Sequence, residues 1–338
     1  MSVNHRSREA VLAILRSARE ENSQAWTSGE HLADRLGVSR VAVWKALASL
    51  REAGYPVASS SRGYRLDGPG PRDALMPWEF PGRTGHIHRW ERTDSTMERA
   101  RELALRGETD GSLALAEYQE AGRGRHGRSW TSSEGGLFFT IVKRPPLAAH
   151  EYMRAVMGMQ LACARAIEKE TKTPIRLSWP NDLLAGGRKI AGILPEFLAK
   201  RDLIDWINLG VGINLHTAPE GAAACAQWNP ALERKTLLAA ILEELDAADI
   251  ASFTTHELSA ACEARLDAKG EKVRLIAAGH GPAADTENVS SHTPRGIFLG
   301  LDSLGRCRIE TAQGVREYSP AHYSIEKAPG KGPSKDVT

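Results

Sequence analysis

The sequence predicts a multidomain α+β protein: a winged helix-turn-helix, then a central mixed α/β unit, then a small β-barrel. Three observations predict it. At 338 residues and 41% hydrophobic content, the chain can fill two or three cores rather than one. Helical and strand-like periods alternate through its middle, whereas its last part shows only short strand patterns between turns. A stretch with four prolines and three glycines, residues 67 to 82, separates the first part from the rest as a linker would.

The first unit is expected over residues 1 to 66. Val11, Ile14, Leu15 and Ala18 recur at helical spacing, and a second short helix runs from Ser28 to Leu36. Gly37 ends it and Ser39 caps a third helix, whose Val43, Leu47 and Leu50 share one face and leave Arg40, Trp44 and Lys45 toward the other. The segment from Tyr55 to Leu66 alternates weakly around a Gly63 turn, as a two-stranded wing does. Between Arg35 and Arg65 six basic side chains face the single acid Glu52. A polyanion can dock there, and Ser39, Arg40, Trp44, Lys45 and Arg62 are the candidate DNA-binding residues. The alternative is a winged helix kept for packing or dimerisation, with Trp44 on a wider apolar face.

The central unit is expected over residues 83 to 268. Strand-like runs at 86–91, 112–119, 137–143, 175–179, 190–197 and 203–211 alternate with helical patterns at 150–170 and 232–245. Between two of these strands runs Gln119-Glu-Ala-Gly-Arg-Gly-Arg-His-Gly-Arg-Ser-Trp130, three arginines interleaved with three glycines. Glycine lets the backbone wrap an anion closely, and each guanidinium is a fork matched to phosphate or carboxylate. The loop is short and unrepeated, so a small-molecule phosphate loop is favoured over a nucleic-acid tail. A second constellation is Ser178-Trp-Pro-Asn-Asp-Leu-Leu-Ala-Gly-Gly-Arg-Lys-Ile-Ala-Gly-Ile-Leu194. Asn181 and Asp182 stand at a strand end, and Lys189 opens an apolar strand, where its charge calls for an anionic partner or serves to protect a sheet edge. No glycine-rich loop ends in Lys-Ser or Lys-Thr, so a Walker-type phosphate site is not indicated.

The last unit is expected over residues 270 to 326, with short strands at 273–277, 296–301, 307–311, 314–318 and 322–325 closing into a small barrel. Residues 279 to 294 read as a mobile polar loop and 327 to 338 as a tail. Four scattered cysteines show no CxxC spacing, and no apolar stretch of eighteen residues occurs, which fits a cytoplasmic protein without a membrane span.

Asp94-Ser-Thr96, the 118–130 segment, Trp179-Pro-Asn-Asp-Leu183, Arg188-Lys-Ile-Ala-Gly-Ile-Leu194 and Gly210-Val-Gly-Ile-Asn214 come in the order of the biotin–protein ligases. The chain resembles that family, in particular its bacterial bifunctional form that is both ligase and biotin-operon repressor, from Ala10 to Ile325. The resemblance implies a class II synthetase-like catalytic domain and an SH3-like C-terminal domain. It implies formation of biotinyl-5'-AMP from biotin and ATP with Mg²⁺, then transfer to one lysine of a carboxylase's biotin carboxyl carrier domain. It also implies an adenylate-promoted homodimer on double-stranded operator DNA.

Carried over residue by residue, Lys189, Arg125 and Asp182 are implied to be catalytic, with Mg²⁺ near Asp182. Ser95, Thr96 and Gln119 would line the biotin site, and Arg123-Gly124-Arg125 would close over the adenylate. Gly122, Trp130, Asn181, Gly210, Gly212 and Asn214 would complete the site, with Trp228 over the adenine. The chain departs from the family pattern at Met97, where asparagine is common, and at Pro195, which interrupts an apolar run. Rival functions are ligation of lipoate or another acid, and an adenylate-sensing transcription factor with little turnover.

Overall fold

A computed structural model describes residues 5–247, 255–277 and 293–327. The loop expected over 279–294, apart from its last two residues, and the tail beyond 327 lie outside the described residues.

The N-terminal unit holds α1 (His5–Glu21), α2 (Gly29–Leu36), α3 (Arg40–Glu52) and a wing of β1 (Val57–Ser60) and β2 (Gly63–Leu66). Ser28 and Ser39 start α2 and α3, accepting from the His31 and Ala42 N–H groups, and left-handed Gly37 ends α2. Gly63 is required where the wing crosses the chain: a Cβ there would lie 2.2 Å from the Thr27 carbonyl oxygen. Leu12, Leu15, Leu32, Leu47 and Leu50 form a core of their own.

The stretch expected as a linker is anchored at both ends. Trp78, on a 3₁₀ turn at Pro77–Glu79, joins the N-terminal core and donates to Tyr55 Oη at 3.1 Å. Glu79 accepts from Arg16 at 2.8 Å and from Tyr55, whose hydroxyl is pushed above its ordinary range by burial and by that carboxylate. Toward the other unit, Asp73 accepts from Arg234 Nε at 2.5 Å, and Arg234 also pairs with Glu117.

The central unit is built on β3 (Ile87–Thr93), α4 (Thr96–Leu105), β4 (Leu113–Gln119), β5 (Leu137–Lys143), α5 (Tyr152–Thr171), β6 (Ile175–Ser178), β7 (Asp182–Ala185), β8 (Arg188–Lys200), β9 (Leu203–Ile213), α6 (Arg234–Ala247) and α7 (Thr255–Glu263). Its seven strands run in the order β3-β4-β5-β9-β8-β7-β6, with β3 and β4 parallel and the other pairs antiparallel. Alternation decides the two faces. Ile207, Leu209, Val211 and Ile213 of β9 enter the main core with α5 and α6, while Trp206 joins Ala100 and Leu103 of α4 on the opposite face. Pro195 does not interrupt β8, because β7 pairs with it only over 188–192 and leaves Pro195 on a stretch with one free side.

The C-terminal unit corrects the expected SH3-like barrel. All five strands form, as β10 (Lys272–Ala277), β11 (Arg295–Leu301), β12 (Cys307–Thr311), β13 (Gly314–Tyr318) and β14 (Tyr323–Lys327). They make an open sheet in the order β13-β12-β11-β10-β14, so β13 and β14 are its two edges. The reason lies in the packing. Val273, Leu275, Phe298 and Ile309 are buried in the same core as α5 and α7, so the apolar face is covered by the central unit rather than by the sheet curling on itself.

Candidate active site

The α4 face of the central sheet carries a cavity of about 350 Å³. Its floor is bare backbone: Gly212 of β9 pairs in register with Gly192 of β8, and Gly210 follows on the same face. A Cβ on Gly212 would lie 2.4 Å from the Trp130 indole, which rests on that floor.

At one end, α4 begins. Ser95 Oγ accepts the Met97 N–H at 3.2 Å and so caps the helix. Behind it runs a buried polar chain: Thr140 Oγ1 donates to Thr96 Oγ1 at 2.9 Å, Thr96 Oγ1 to Gln119 Oε1 at 3.1 Å, and Gln119 Nε2 to Ser132 Oγ at 3.1 Å. The Thr96 N–H also donates to Gln119 Oε1, at 2.8 Å. Gln119 is thereby fixed with its carbonyl on the helix start.

At the other end sit the charges. Lys189 Nζ is 2.8 Å from Asp182 Oδ1 and 5.2 Å from the Trp130 ring centroid. Asp182 follows the Trp179–Asn181 turn, which Asn181 holds through Nδ2 to the Ile193 carbonyl at 2.6 Å. Arg125 donates to Asn181 Oδ1 at 3.4 Å, to the Tyr323 carbonyl at 3.2 Å and to the Pro320 carbonyl. Burial draws its pKa down, opposed by Asp182. Its neighbour His126, in the left-handed region at φ 57°, is held below the ordinary imidazole value by burial and by the Arg125 and Arg128 charges. Arg123 turns outward and pairs with Glu98 of α4.

Of the residues singled out from the sequence, Ser95, Thr96, Gln119, Arg123, Gly124, Arg125, Trp130, Asn181, Asp182, Lys189, Gly210 and Gly212 all line this cavity. Gly122 lies behind it, where a Cβ would meet the Trp130 carbonyl at 2.7 Å. Asn214 and Trp228 are not in the lining. Asn214 accepts from the Cys225 N–H at 3.0 Å, and the Lys189 carbonyl accepts from Ala223 at 2.8 Å, so the loop leading to Trp228 is tied to the site's own strands. Sequence reasoning missed Thr140, although a lone threonine inside the apolar run 137–143 was a usable signal. It also missed Ile276 and Ser324 to Glu326, which the C-terminal sheet brings to the rim and which no local pattern marks.

A second cleft, of about 470 Å³, lies between α3 and the wing and is lined by Arg40, Trp44 and Arg62 among others. Ser39 serves as the α3 cap, and Lys45 is exposed but outside the lining. Trp26, which the sequence did not flag, carries the Arg62 and Arg65 guanidinium groups over its ring at 5.1 and 4.6 Å.

Fold and site define a small-molecule-binding α/β unit that packs against a C-terminal sheet and is joined to a winged helix-turn-helix. Residues 90–214 match the biotin/lipoate A/B protein ligase family and residues 8–65 an HTH domain. The bifunctional ligase/repressor BirA of Escherichia coli (strain K12) is 33% identical over 240 residues, 65% of this chain and 71% of that protein. The protein of the same name from Bacillus subtilis (strain 168) is 29% identical over 312 residues, 88% of this chain and 93% of that protein. The solved biotin protein ligase from Aquifex aeolicus in complex with biotin and ATP has 27% identity and a TM-score of 0.58, over 72% of this chain and 99% of that one. The chain belongs to the biotin–protein ligase family, in its bacterial bifunctional form with an N-terminal helix-turn-helix.

Proposed function

We propose that the protein is an ATP-dependent biotin–protein ligase that also represses biotin synthesis genes by binding DNA. One observation carries the ligase assignment: a single glycine floor joins a neutral hydrogen-bonding end, Thr96 with Gln119 and Thr140, to a charged end, Lys189 with Asp182. An acid with a polar, uncharged head fits that order of groups.

In the first step a biotin carboxylate oxygen attacks the α-phosphorus of ATP, forming the acyl–phosphate bond as the bond to pyrophosphate breaks. Two anions meet, so Lys189 exchanges part of its contact with Asp182 for the carboxylate and α-phosphate oxygens. Arg125 holds its loop against the C-terminal sheet and presents a second cation, and Arg123, Gly124 and Trp130 close over the adenylate. When bound with ATP, Mg²⁺ would neutralise phosphate charge, and the Asp182 carboxylate is the residue that would hold it. Asn214 and Trp228 act through the 217–227 loop on the adenine side. In the second step the neutral amine of a carrier-domain lysine attacks the acyl carbon, AMP leaves and the amine's proton is released. The anhydride is reactive already, so alignment and exclusion of water suffice.

For repression, Arg40, Lys45 and Arg62 face the DNA backbone while Trp44 and the α3 start approach the bases, and two copies pair on a symmetric site. The adenylate favours that dimer, and linkage requires that the dimer favour adenylate retention equally. No helix among the described residues is long and apolar enough to cross a membrane. The ligase assignment is tested by biotin-dependent release of pyrophosphate from ATP by the purified protein. Release that is equal with and without biotin would remove it.

A further inference from the structure

We propose that Met97 is a specificity-determining residue, the apolar stop at the neutral end of the cavity, and that position 210 is glycine to admit it. The inference rests on the biotin assignment above and goes beyond it by naming what limits the size of the acid.

Met97 is the second residue of α4, only 3% exposed, and its side chain lines the cavity. A Cβ added to Gly210 would lie 2.8 Å from Met97 Cε and 3.4 Å from Thr140 Oγ1. The thioether methyl therefore rests on bare β9 backbone, in space that any other residue at 210 would claim. Its neighbours Thr96, Thr140 and Gln119 bond to one another, and methionine adds no donor to that chain. The wall is thus polar on one side and apolar on the other. Lys189 stands near Gly192, one strand over and about 7 Å further along the sheet from Gly210. An acid whose carboxylate meets Lys189 directs its far end at Met97. A flexible thioether fills such an irregular gap and yields to small changes of shape, so its truncation opens room without removing a hydrogen bond.

Gly210→Ala, Met97→Ala, their combination and Met97→Leu test this together. Gly210→Ala must displace the Met97 methyl, and the open direction is the cavity, so KM for biotin rises about tenfold or more while kcat falls less. Met97→Ala removes the obstacle, so adding Gly210→Ala to it costs little, and the double variant has a lower KM than Gly210→Ala alone. Alone, Met97→Ala shifts selectivity toward larger acids. In a panel of biotin analogues each carrying one extra methyl at a different ring position, at least one improves relative to biotin by about tenfold or more in kcat/KM, the size expected for one methylene in an apolar pocket. Met97→Leu, a volume-conserving change, keeps the selectivity of the unaltered protein. A merely structural methionine would lower the melting temperature and scale kcat/KM for every acid alike. That pattern, or no analogue gaining, overturns the proposal. Failure of the unaltered protein to use biotin would instead remove the assignment beneath it.

Discussion

The two clefts are of comparable size, about 350 Å³ on the central sheet and about 470 Å³ beside α3, yet they hold their cations in opposite ways. On the central sheet Lys189 is paired with Asp182, Arg125 donates to backbone carbonyls and Arg123 is turned to Glu98. On the winged helix Arg40 and Lys45 have no ion-pair partner among the described residues, and the Arg62 guanidinium sits 5.1 Å over the Trp26 ring centroid. Cations held in place before the ligand arrives suit a small anion that must be aligned for reaction. Solvated cations suit a polyanion, whose binding draws on released counterions and tolerates approximate positions. The difference therefore separates a site built for chemistry from a surface built for attachment.

The largest expected effect breaks the comparison on the chemical side. Lys189→Ala lowers the rate of biotin-dependent pyrophosphate release about a hundredfold to a thousandfold, the cost of removing one aligned donor. Its melting temperature and its DNA binding without biotin stay close to those of the unaltered protein, because Lys189 is 40% exposed and far from the winged-helix core. Next comes the joint between the regions. Arg234→Met removes the cation shared by Asp73 and Glu117; Glu117 keeps Arg89 at 2.9 Å, while Asp73 is left with only His216 at 3.6 Å, so the fold is destabilised by about 2 kcal/mol in urea unfolding.

On the attachment side, Arg40→Ala combined with Lys45→Ala weakens DNA binding and lowers the slope of log K against log salt by roughly 1.8, at ~0.9 per phosphate contact, with ligation unchanged. An unaltered slope in fluorescence anisotropy would show that these two groups do not meet phosphates. At neutral pH no effect is expected from Cys163, Cys225, Cys262 and Cys307, whose thiols burial pushes up to about 12. Folded, they keep their protons; unfolded, they release them near the ordinary value of 9.0, so between 9.0 and about 12 the unfolded state holds fewer protons. Stability then falls as pH rises through that window, and a thiol reagent at pH 8 labels the native protein only as fast as it unfolds.

Much of this was legible before any coordinates. The glycine–arginine loop and the Trp179–Leu194 segment could be picked out as candidate site segments because both readings depend on local residue types. Twelve residues named from the sequence line one cavity. Helix α4 is marked in the sequence by Ser95, Glu98 and the spacing of Ala100, Leu103 and Ala104, but its first turn overlaps Asp94-Ser-Thr96, whose ligand-binding pattern masks the cap. β7, four residues between a turn and a glycine pair, was too short to show a period. The open C-terminal sheet was beyond reach for a different reason. Strand spacing reports where strands lie, not whether Phe298 and Ile309 face their own barrel or the neighbouring helices.

The most direct test of the central claim is the intact mass of an apo biotin carrier domain after incubation with this protein, ATP, Mg²⁺ and either biotin or lipoate. With biotin, one biotinyl group is expected on a single carrier lysine, dependent on ATP and lost with Lys189→Ala. A gain with lipoate and none with biotin would contradict the claim.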